Sequence, residues 1–207
     1  MHTLRQKLAL AGGIAALALV VLPPLGSGAD QLFSLHMVQH LLLIAIAAPL
    51  LAVSGVFDRL HRFVQPVTAW LAFVGIFLFW HWPAAFQWAA GNPASQLLEY
   101  ASILFGALLF WSIALSGRSG LSLGARALFV MTGAVATDLP GVIMVFAPRA
   151  LCTMPGENAA LWGLTPLQDQ QIAGMLMWVP ANLIFFGIAT WLFALWISDT
   201  SHSQVIS

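Results

Sequence analysis

Residues 33–56 read FSLHMVQHLLLIAIAAPLLAVSGV, an apolar run long enough to cross the hydrocarbon layer of a membrane as one helix. The polar residues of this run lie mainly at its beginning, where His36 and His40 are four positions apart. On a helix these two imidazoles share one face, one turn apart, and can converge on a single ion or on the edge of a haem. Ionisable side chains inside a membrane are costly and usually functional. The stretch therefore predicts a transmembrane helix that carries a functional site.

The composition predicts that the whole chain is a membrane protein. Hydrophobic residues make up 60% of the 207 residues and charged residues 7%, which leaves too few polar side chains to cover a soluble globule. Five further apolar runs of spanning length occur at 8–25, 64–90, 96–116, 125–147 and 171–197. These runs lack the period-2 alternation of membrane β-barrel strands. We therefore predict a single all-α domain over residues 1–207, a polytopic membrane helical bundle of six transmembrane helices.

The distribution of basic residues predicts how the bundle is oriented. If the N-terminus is cytoplasmic, six of the seven lysines and arginines fall on the cytoplasmic side, namely Arg5, Lys7, Arg59, Arg62, Arg118 and Arg126. Only Arg149 falls outside, so both termini are expected in the cytoplasm. Residues 1–29 have an alternative interpretation as a cleaved signal peptide, because basic residues precede the apolar run and small residues follow it. A net charge of zero without a basic run argues against a nucleic-acid partner.

The ionisable residues within this topology fall near the outer ends of the predicted spans. They are His36, His40, His81, Glu99, Asp138 and Asp169. A carboxylate at the membrane centre costs about 3 kcal/mol and usually marks an ion site, a relay or a buried partner. Methionines at a similar level offer thioethers, which suit copper(I). The pattern predicts a metal site that opens to the outer compartment.

The same residues also have structural interpretations. A single membrane histidine commonly makes a hydrogen bond between helices. Glu99 suits the first turn of a helix and Asp169 suits a helix cap, whereas Asp138 stands beside the helix breaker Pro140. The long outer segment 148–170 is interpreted as a lid or docking surface, with Cys152 and Met154 as supplementary metal candidates.

No catalytic motif is found among these residues. The sequence contains no H-E-x-x-H, no G-x-S-x-G, no phosphate-binding glycine-rich loop and no C-x-x-C. The pattern His36-x-x-x-His40 has no acidic residue inside it, unlike the zinc hydrolase motif. We therefore expect that the protein is not an enzyme.

Four stretches carry a resemblance to a known family. They are HMVQHLLL at 36–43, WHWP at 80–83, TDLPGVIM at 137–144 and DQQIAGMLMW at 169–178. In these stretches the chain resembles the CtaG family of bacterial cytochrome c oxidase assembly proteins. The resemblance implies an integral protein of the bacterial plasma membrane that is needed to mature a haem-copper oxidase and that handles copper. Members often carry two further histidines where this chain has Gln96 and Tyr100 beside Glu99.

Together the residues and the resemblance give the leading hypothesis, an assembly factor that holds copper near the outer face and delivers it to an oxidase subunit. The expected partners are that subunit, a periplasmic copper chaperone and membrane lipid. His36 and His40 are the expected primary ligands and His81 the third. Met175 or Met177 would be a soft, exchangeable ligand, and Asp138 or Asp169 would orient an imidazole.

Two alternatives from other classes remain open. In the first, His40 and His81 ligate one b-type haem and the protein is a membrane electron carrier. In the second, the protein is a metal-free structural scaffold for oxidase subunits, and the polar cluster only holds helices together. A visible spectrum separates the haem hypothesis from the others, because a bound haem absorbs strongly.

Overall fold

The computed structural model describes residues 3–57, 64–117, 119–156 and 158–205, and no strand occurs in these ranges. The helices are α1 Leu4–Val21, α2 Leu25–Ala29, α3 Phe33–Leu41, a π-helical segment Leu42–Ala47, α4 Ala48–Val53, α5 Pro66–Trp80, α6 Pro83–Ala90, α7 Pro93–Leu115, α8 Leu123–Phe146, a 3₁₀ turn Ala159–Trp162 and α9 Pro166–Val205. The predicted all-α architecture is confirmed.

Five stretches of helix in the described residues are long and apolar enough to cross a membrane. They are Leu4–Val21, Phe33–Val53, Pro93–Leu115, Leu123–Phe146 and Pro166–Asp199. The pair α5 and α6 makes a sixth crossing if the two helices are counted as one span. The chain is therefore a multi-pass membrane protein, and the predicted helical bundle is confirmed with five or six spans.

The third predicted span, 64–90, consists of two helices with a bend between them. Helix α5 ends at Trp80, and α6 starts at Pro83 with a bend of 74° between the two. Pro83 has no N–H with which to continue the backbone hydrogen bonds of helix α5. Its ring also forces Trp82 out of the helical region of backbone conformation, to φ −73° and ψ 130°. We call this bend, residues 81–82, the elbow.

The second span contains a π-helical segment directly after His40. Pro49 follows this segment and cannot donate a backbone hydrogen bond. The carbonyl of Ile44 within the segment accepts a bond of 2.7 Å from the indole N–H of Trp111 on α7. This contact gives a backbone carbonyl of the irregular segment a hydrogen-bond partner inside the protein, which is needed because the hydrocarbon layer offers none.

The core lies around α7, which contacts the second span, α5 and α6. Its aromatic centre consists of Phe110 and Trp111, both fully buried, together with Phe73 and Phe185 from neighbouring helices. Helices α8 and α9 approach closely at two glycines, where a Cβ on Gly174 would lie 2.7 Å from the carbonyl oxygen of Gly141. Small residues at such crossings let membrane helices pack by direct contact.

One end of the bundle, here called the site end, holds the beginnings of α3, α7 and α9 and the elbow. Asp169 in the first turn of α9 accepts hydrogen bonds from the backbone N–H groups of Phe33 and Ser34, which ties α9 to the start of α3. The segment between α8 and α9 is fixed to this end, because Gln87 donates to the carbonyl of Thr153 at 3.0 Å. The predicted cytoplasmic position of both termini stays a prediction.

Candidate metal centre

Three side chains from two helices meet at the site end. His36 Nε2 lies 3.3 Å from Glu99 Oε1, and His40 Nε2 lies 3.2 Å from the same oxygen. The donor atoms of the three side chains all lie within 4.8 Å of one another. Relative exposure is 0% for His36 and Glu99 and 2% for His40. A single carboxylate oxygen therefore lies between two imidazoles in a buried position.

Local sequence explains how this cluster forms. The four-residue spacing on α3 stacks the two imidazoles on one face, with ring centroids 4.6 Å apart. Helix α7 begins after Asn92, whose side chain accepts a hydrogen bond from the N–H of Ala94 at 2.8 Å. Glu99 follows about two turns into α7, roughly 10 Å from the start of the helix. It thus reaches a depth similar to that of His40.

His81 lies at the elbow, beside the cluster. Its Nδ1 is 2.7 Å from the carbonyl oxygen of Phe77, and because a carbonyl only accepts, Nδ1 carries the hydrogen. In the neutral imidazole the other nitrogen, Nε2, is then a free electron-pair donor, and it has no hydrogen-bond partner. The ring stacks on Phe77 at 4.0 Å and contacts His40 edge-on, with ring centroids 5.3 Å apart. The structure thus places His81 in ring contact with His40, beside but outside the group formed by His36, His40 and Glu99.

A hydrogen-bond network fixes the hydroxyl of Tyr100 next to this cluster. Gln39 donates from Nε2 to the carbonyl of Val20 at 2.6 Å, which leaves its Oε1 to accept from the Tyr100 hydroxyl at 2.5 Å. Gln96 Nε2 donates to the same hydroxyl oxygen at 3.2 Å. A phenol has one hydrogen, and in this network that hydrogen goes to Gln39.

The network in turn assigns the tautomer of His36. The Tyr100 oxygen lies 3.2 Å from His36 Nδ1 and has no further hydrogen to give, so Nδ1 is the donor. His36 Nε2 is then an electron-pair donor in the neutral imidazole, and it faces Glu99 Oε1 at 3.3 Å. Both His36 Nε2 and Glu99 Oε1 present lone pairs. At this distance they need a cation between or beside them, either a proton or a metal ion. Hydrogen bonding of the distal nitrogen is typical of a metal-binding histidine.

The donor set fits a transition-metal ion. Two imidazoles and a carboxylate suit copper(II), zinc or iron, while a thioether would be needed to favour copper(I). A small cavity of about 30 Å³ lies against the cluster, and its wall includes His40, Thr137 and Met177. Met177 is therefore the methionine of the predicted pair that borders the same cavity as a cluster histidine.

The other predicted site residues lie elsewhere. Met175 is 46% exposed and lines a separate surface groove on α9. Asp138 accepts a hydrogen bond of 2.7 Å from the amide of Asn182. Asp169 accepts from two backbone N–H groups at the start of α3, so the hydrogen bonds of these two aspartates go to groups other than an imidazole. Asp169 thus holds the helix that carries His36 and His40, not an imidazole itself.

Sequence reasoning grouped Glu99 with the ionisable residues near the outer ends of the spans but did not name it as a metal ligand. It missed Tyr100 as the partner of His36. The signal that could have found Glu99 was its depth, because an acid two turns into an apolar span lies at the level of His40. Tyr100 carried no such signal, since a single tyrosine near a membrane interface usually belongs to the aromatic belt. Its role depends on the rotation of α7 against α3, which only packing determines.

No curated protein and no solved structure matches the chain. The family model Caa3_CtaG, described as cytochrome c oxidase caa3 assembly factor, matches residues 2–199, nearly the whole chain, which confirms the resemblance carried by the four sequence stretches. The chain therefore belongs to the family of cytochrome c oxidase caa3 assembly factors.

Proposed function

We propose that this assembly factor binds a copper ion at His36, His40 and Glu99 and transfers it to a subunit of the oxidase during assembly. One observation carries the proposal, the position of Glu99 Oε1 within 3.3 Å of His36 Nε2 and 3.2 Å of His40 Nε2. Buried carboxylates in membrane proteins need a partner of opposite charge. A bound metal ion would supply that charge at the site end.

Each side chain has a distinct part in this proposal. Glu99 offsets the charge of the ion in a region of low dielectric constant. His36 is held in the metal-binding tautomer by Tyr100, and His40 lies one turn further along α3. His81 is a third imidazole whose free Nε2 can join or leave the ion. An exchangeable ligand of this kind suits a protein that gives its metal away.

Copper titration tests the proposal directly. Purified protein and the double variant His36→Ala, His40→Ala compete with a chromophoric chelator for copper(I) and, separately, copper(II). We expect one buried ion per wild-type chain and loss of that ion in the double variant. His202→Ala is the matched control, because it removes a histidine outside the predicted spans. Equal copper(II) stoichiometry in wild type and double variant would remove copper from this site.

A metal-free scaffold is the second candidate, and one observation favours it. Glu99 already lies beside both imidazoles, so a proton shared among the three groups could hold α3 against α7 without a metal. In that case His36→Asn and His40→Asn would preserve oxidase assembly, because Asn still makes hydrogen bonds. The copper proposal expects assembly to fail in the same variants although the protein is folded.

The geometry argues against the haem alternative. A porphyrin would have to lie between His40 and His81, whose rings contact each other with centroids 5.3 Å apart. The cavity that His40 lines is about 30 Å³, whereas cofactor pockets usually hold roughly 300 Å³ or more. The larger cavity beside His81 is not lined by His40. The visible spectrum is the check, since a haem protein would show a Soret band.

A further inference from the structure

A second cavity opens beside the metal centre at the site end. This cavity, here called the elbow groove, has a volume of about 630 Å³. It lies between the elbow, helix α8 and the first part of the segment that follows α8. The residues that line it are Leu78, His81, Trp82, Pro83, Ala84, Leu139, Pro140, Ile143, Met144, Leu151 and Cys152. Its soft or metal-binding side chains are one imidazole, one thioether and one thiol.

His81 connects the elbow groove with the buried centre. It is 7% exposed and lines the groove, and its ring also contacts His40 of the centre. One ring nitrogen is bound to the carbonyl of Phe77 and one ring face is covered by the Phe77 ring. The remaining edge carries Nε2, which has no hydrogen-bond partner although it is buried. His81 thus lines the groove and carries a buried, unpaired nitrogen that could act as a metal ligand.

The two sulfur-bearing residues of the groove are held next to each other by Gln170. Its side-chain oxygen accepts hydrogen bonds from the backbone N–H groups of Leu151 and Cys152, the second at 3.1 Å. Its amide nitrogen donates to the carbonyl of Met144 at 3.1 Å. Gln170 is fully buried, so it fixes the start of the outer segment against the end of α8. This contact ties the backbone of Met144 to that of Cys152, and both residues line the groove.

We propose that the elbow groove is a loading site for copper(I), in which Cys152 and Met144 hold the incoming ion before His81 passes it to His40 and the buried centre. Thiolate and thioether ligands select copper(I), whereas the buried centre offers nitrogen and oxygen donors. At the centre, the ligands of a copper(I) ion would be the imidazoles of His36 and His40 and the thioether of Met177, which borders the same small cavity as His40. The inference rests on the proposed function for its final step, the delivery to the buried centre.

The proton balance of this step is simple. Burial raises the pKa of the Cys152 thiol to about 11, so the thiol is protonated at neutral pH. When copper(I) binds the sulfur, one proton leaves to the solvent, and the oxidation state of the metal does not change. When His81 takes the ion, Cys152 regains a proton from solvent. The relay therefore needs no oxidant or reductant.

Removal of the buried centre allows the loading site to be observed by itself. In the variant His36→Ala, His40→Ala, we expect one copper(I) per chain to stay bound through sulfur, as seen by X-ray absorption at the copper edge. Adding Cys152→Ser to this background should abolish the sulfur-bound copper. Adding Met144→Leu should raise the Kd by about tenfold or more. Met154→Leu is the matched control, because Met154 is a buried methionine of the same segment that does not line the groove.

The outcomes separate the loading site from the proposed function. Sulfur-bound copper that is lost with Cys152→Ser but kept with Met154→Leu supports the loading site, whether or not the buried centre holds copper in the wild type. Absence of sulfur-bound copper in the His36, His40 double variant would overturn it, and so would equal loss in the Cys152 and Met154 variants. If a lipid acyl chain occupies the groove, copper(I) will show no sulfur ligand in detergent or in lipid, which also overturns it. Thermal unfolding of each variant shows that it is folded.

Discussion

Glu99 is the residue whose position decides what the site end can bind. Its Oε1 is close to two imidazole nitrogens, while its other carboxylate oxygen has no hydrogen-bond partner in the described structure. A buried carboxylate with a free oxygen is costly, because it has lost its hydration without full replacement. The arrangement is therefore poorly suited to stability alone and well suited to receiving a cation.

Replacing Glu99 with Gln should separate binding from stability. The change keeps the size of the side chain but removes its charge, so we expect the Kd for copper to rise by about tenfold or more. The melting temperature without copper should not fall, because the neutral amide removes a buried charge whose second oxygen has no partner, and the two imidazoles can remain neutral. Competition titration and thermal unfolding in detergent measure the two effects. A variant that binds copper like the wild type would contradict the role of Glu99 as a ligand.

Asp169 links the start of α9 to the start of α3. Its two carboxylate oxygens accept from the N–H groups of Phe33 and Ser34 at 2.7 and 3.1 Å. The first N–H groups of a helix have no partner inside the helix, and a carboxylate there is favoured by hydrogen bonding and by the helix dipole. Asp169 therefore fixes the position of the helix that carries His36 and His40.

The variant Asp169→Asn tests this link. An amide of the same shape can accept only one of the two hydrogen bonds, so we expect the free energy of unfolding to fall by about 1–3 kcal/mol. Copper binding should weaken as well, because α3 is less firmly held. Asp30→Asn is the matched control, an exposed acid close to the start of α3. An equal effect of both changes would mean that the loss of a negative charge near α3 is responsible, and not the loss of a hydrogen bond between Asp169 and the start of α3.

Helices α8 and α9 offer a second test at this scale. A methyl group at Gly174 would lie 2.7 Å from the carbonyl oxygen of Gly141, so Gly174→Ala should cost about 1–3 kcal/mol by overpacking. Gly187 lies on the same helix with nothing within 4 Å of an added methyl group. Gly187→Ala should be neutral or stabilise the helix by up to about 1 kcal/mol. Thermal unfolding in detergent compares the two, and equal melting temperatures would contradict the close crossing.

At the scale of the whole molecule, ligands are concentrated at one end. The one group of three histidine or acidic donors that could hold a metal ion in the described residues lies at the site end. A copper ion therefore has no comparable set of ligands to carry it through the rest of the bundle. We expect that copper enters and leaves at the site end and is not pumped across the membrane.

Proteoliposomes of known orientation test this expectation. Copper added on the site-end side should bind, and an impermeant chelator on that side should remove it. Copper enclosed on the opposite side should not bind, and no net copper flux should occur. The predicted orientation also places both termini on the side away from the site end, which protease accessibility of tagged termini can check. Copper flux across the vesicle wall would contradict the mechanism.

Much of this architecture could be predicted from local features of the sequence. Span length and hydrophobicity are properties of short segments, so the helical bundle and most span positions follow from them. The same holds for the concentration of ionisable groups near one end, because depth in a membrane follows from position along a helix. Pro83 is a further local feature, which indicates the start of a helix. The bend of 74° before it was not predicted, because its size depends on the packing of α6 against α7.

The partners of the polar side chains were decided by the tertiary structure. Glu99 faces His36 and His40, Asp138 faces Asn182, and Asp169 faces the backbone at the start of α3. Sequence position gives the depth of each group but not the rotation of its helix or the identity of the neighbouring helix. Those two quantities depend on contacts between residues far apart in the chain, such as Gly141 with Gly174 and Trp111 with Ile44. Local sequence features therefore specify a membrane bundle with costly groups at one end, and packing between helices selects which of those groups form the candidate metal centre.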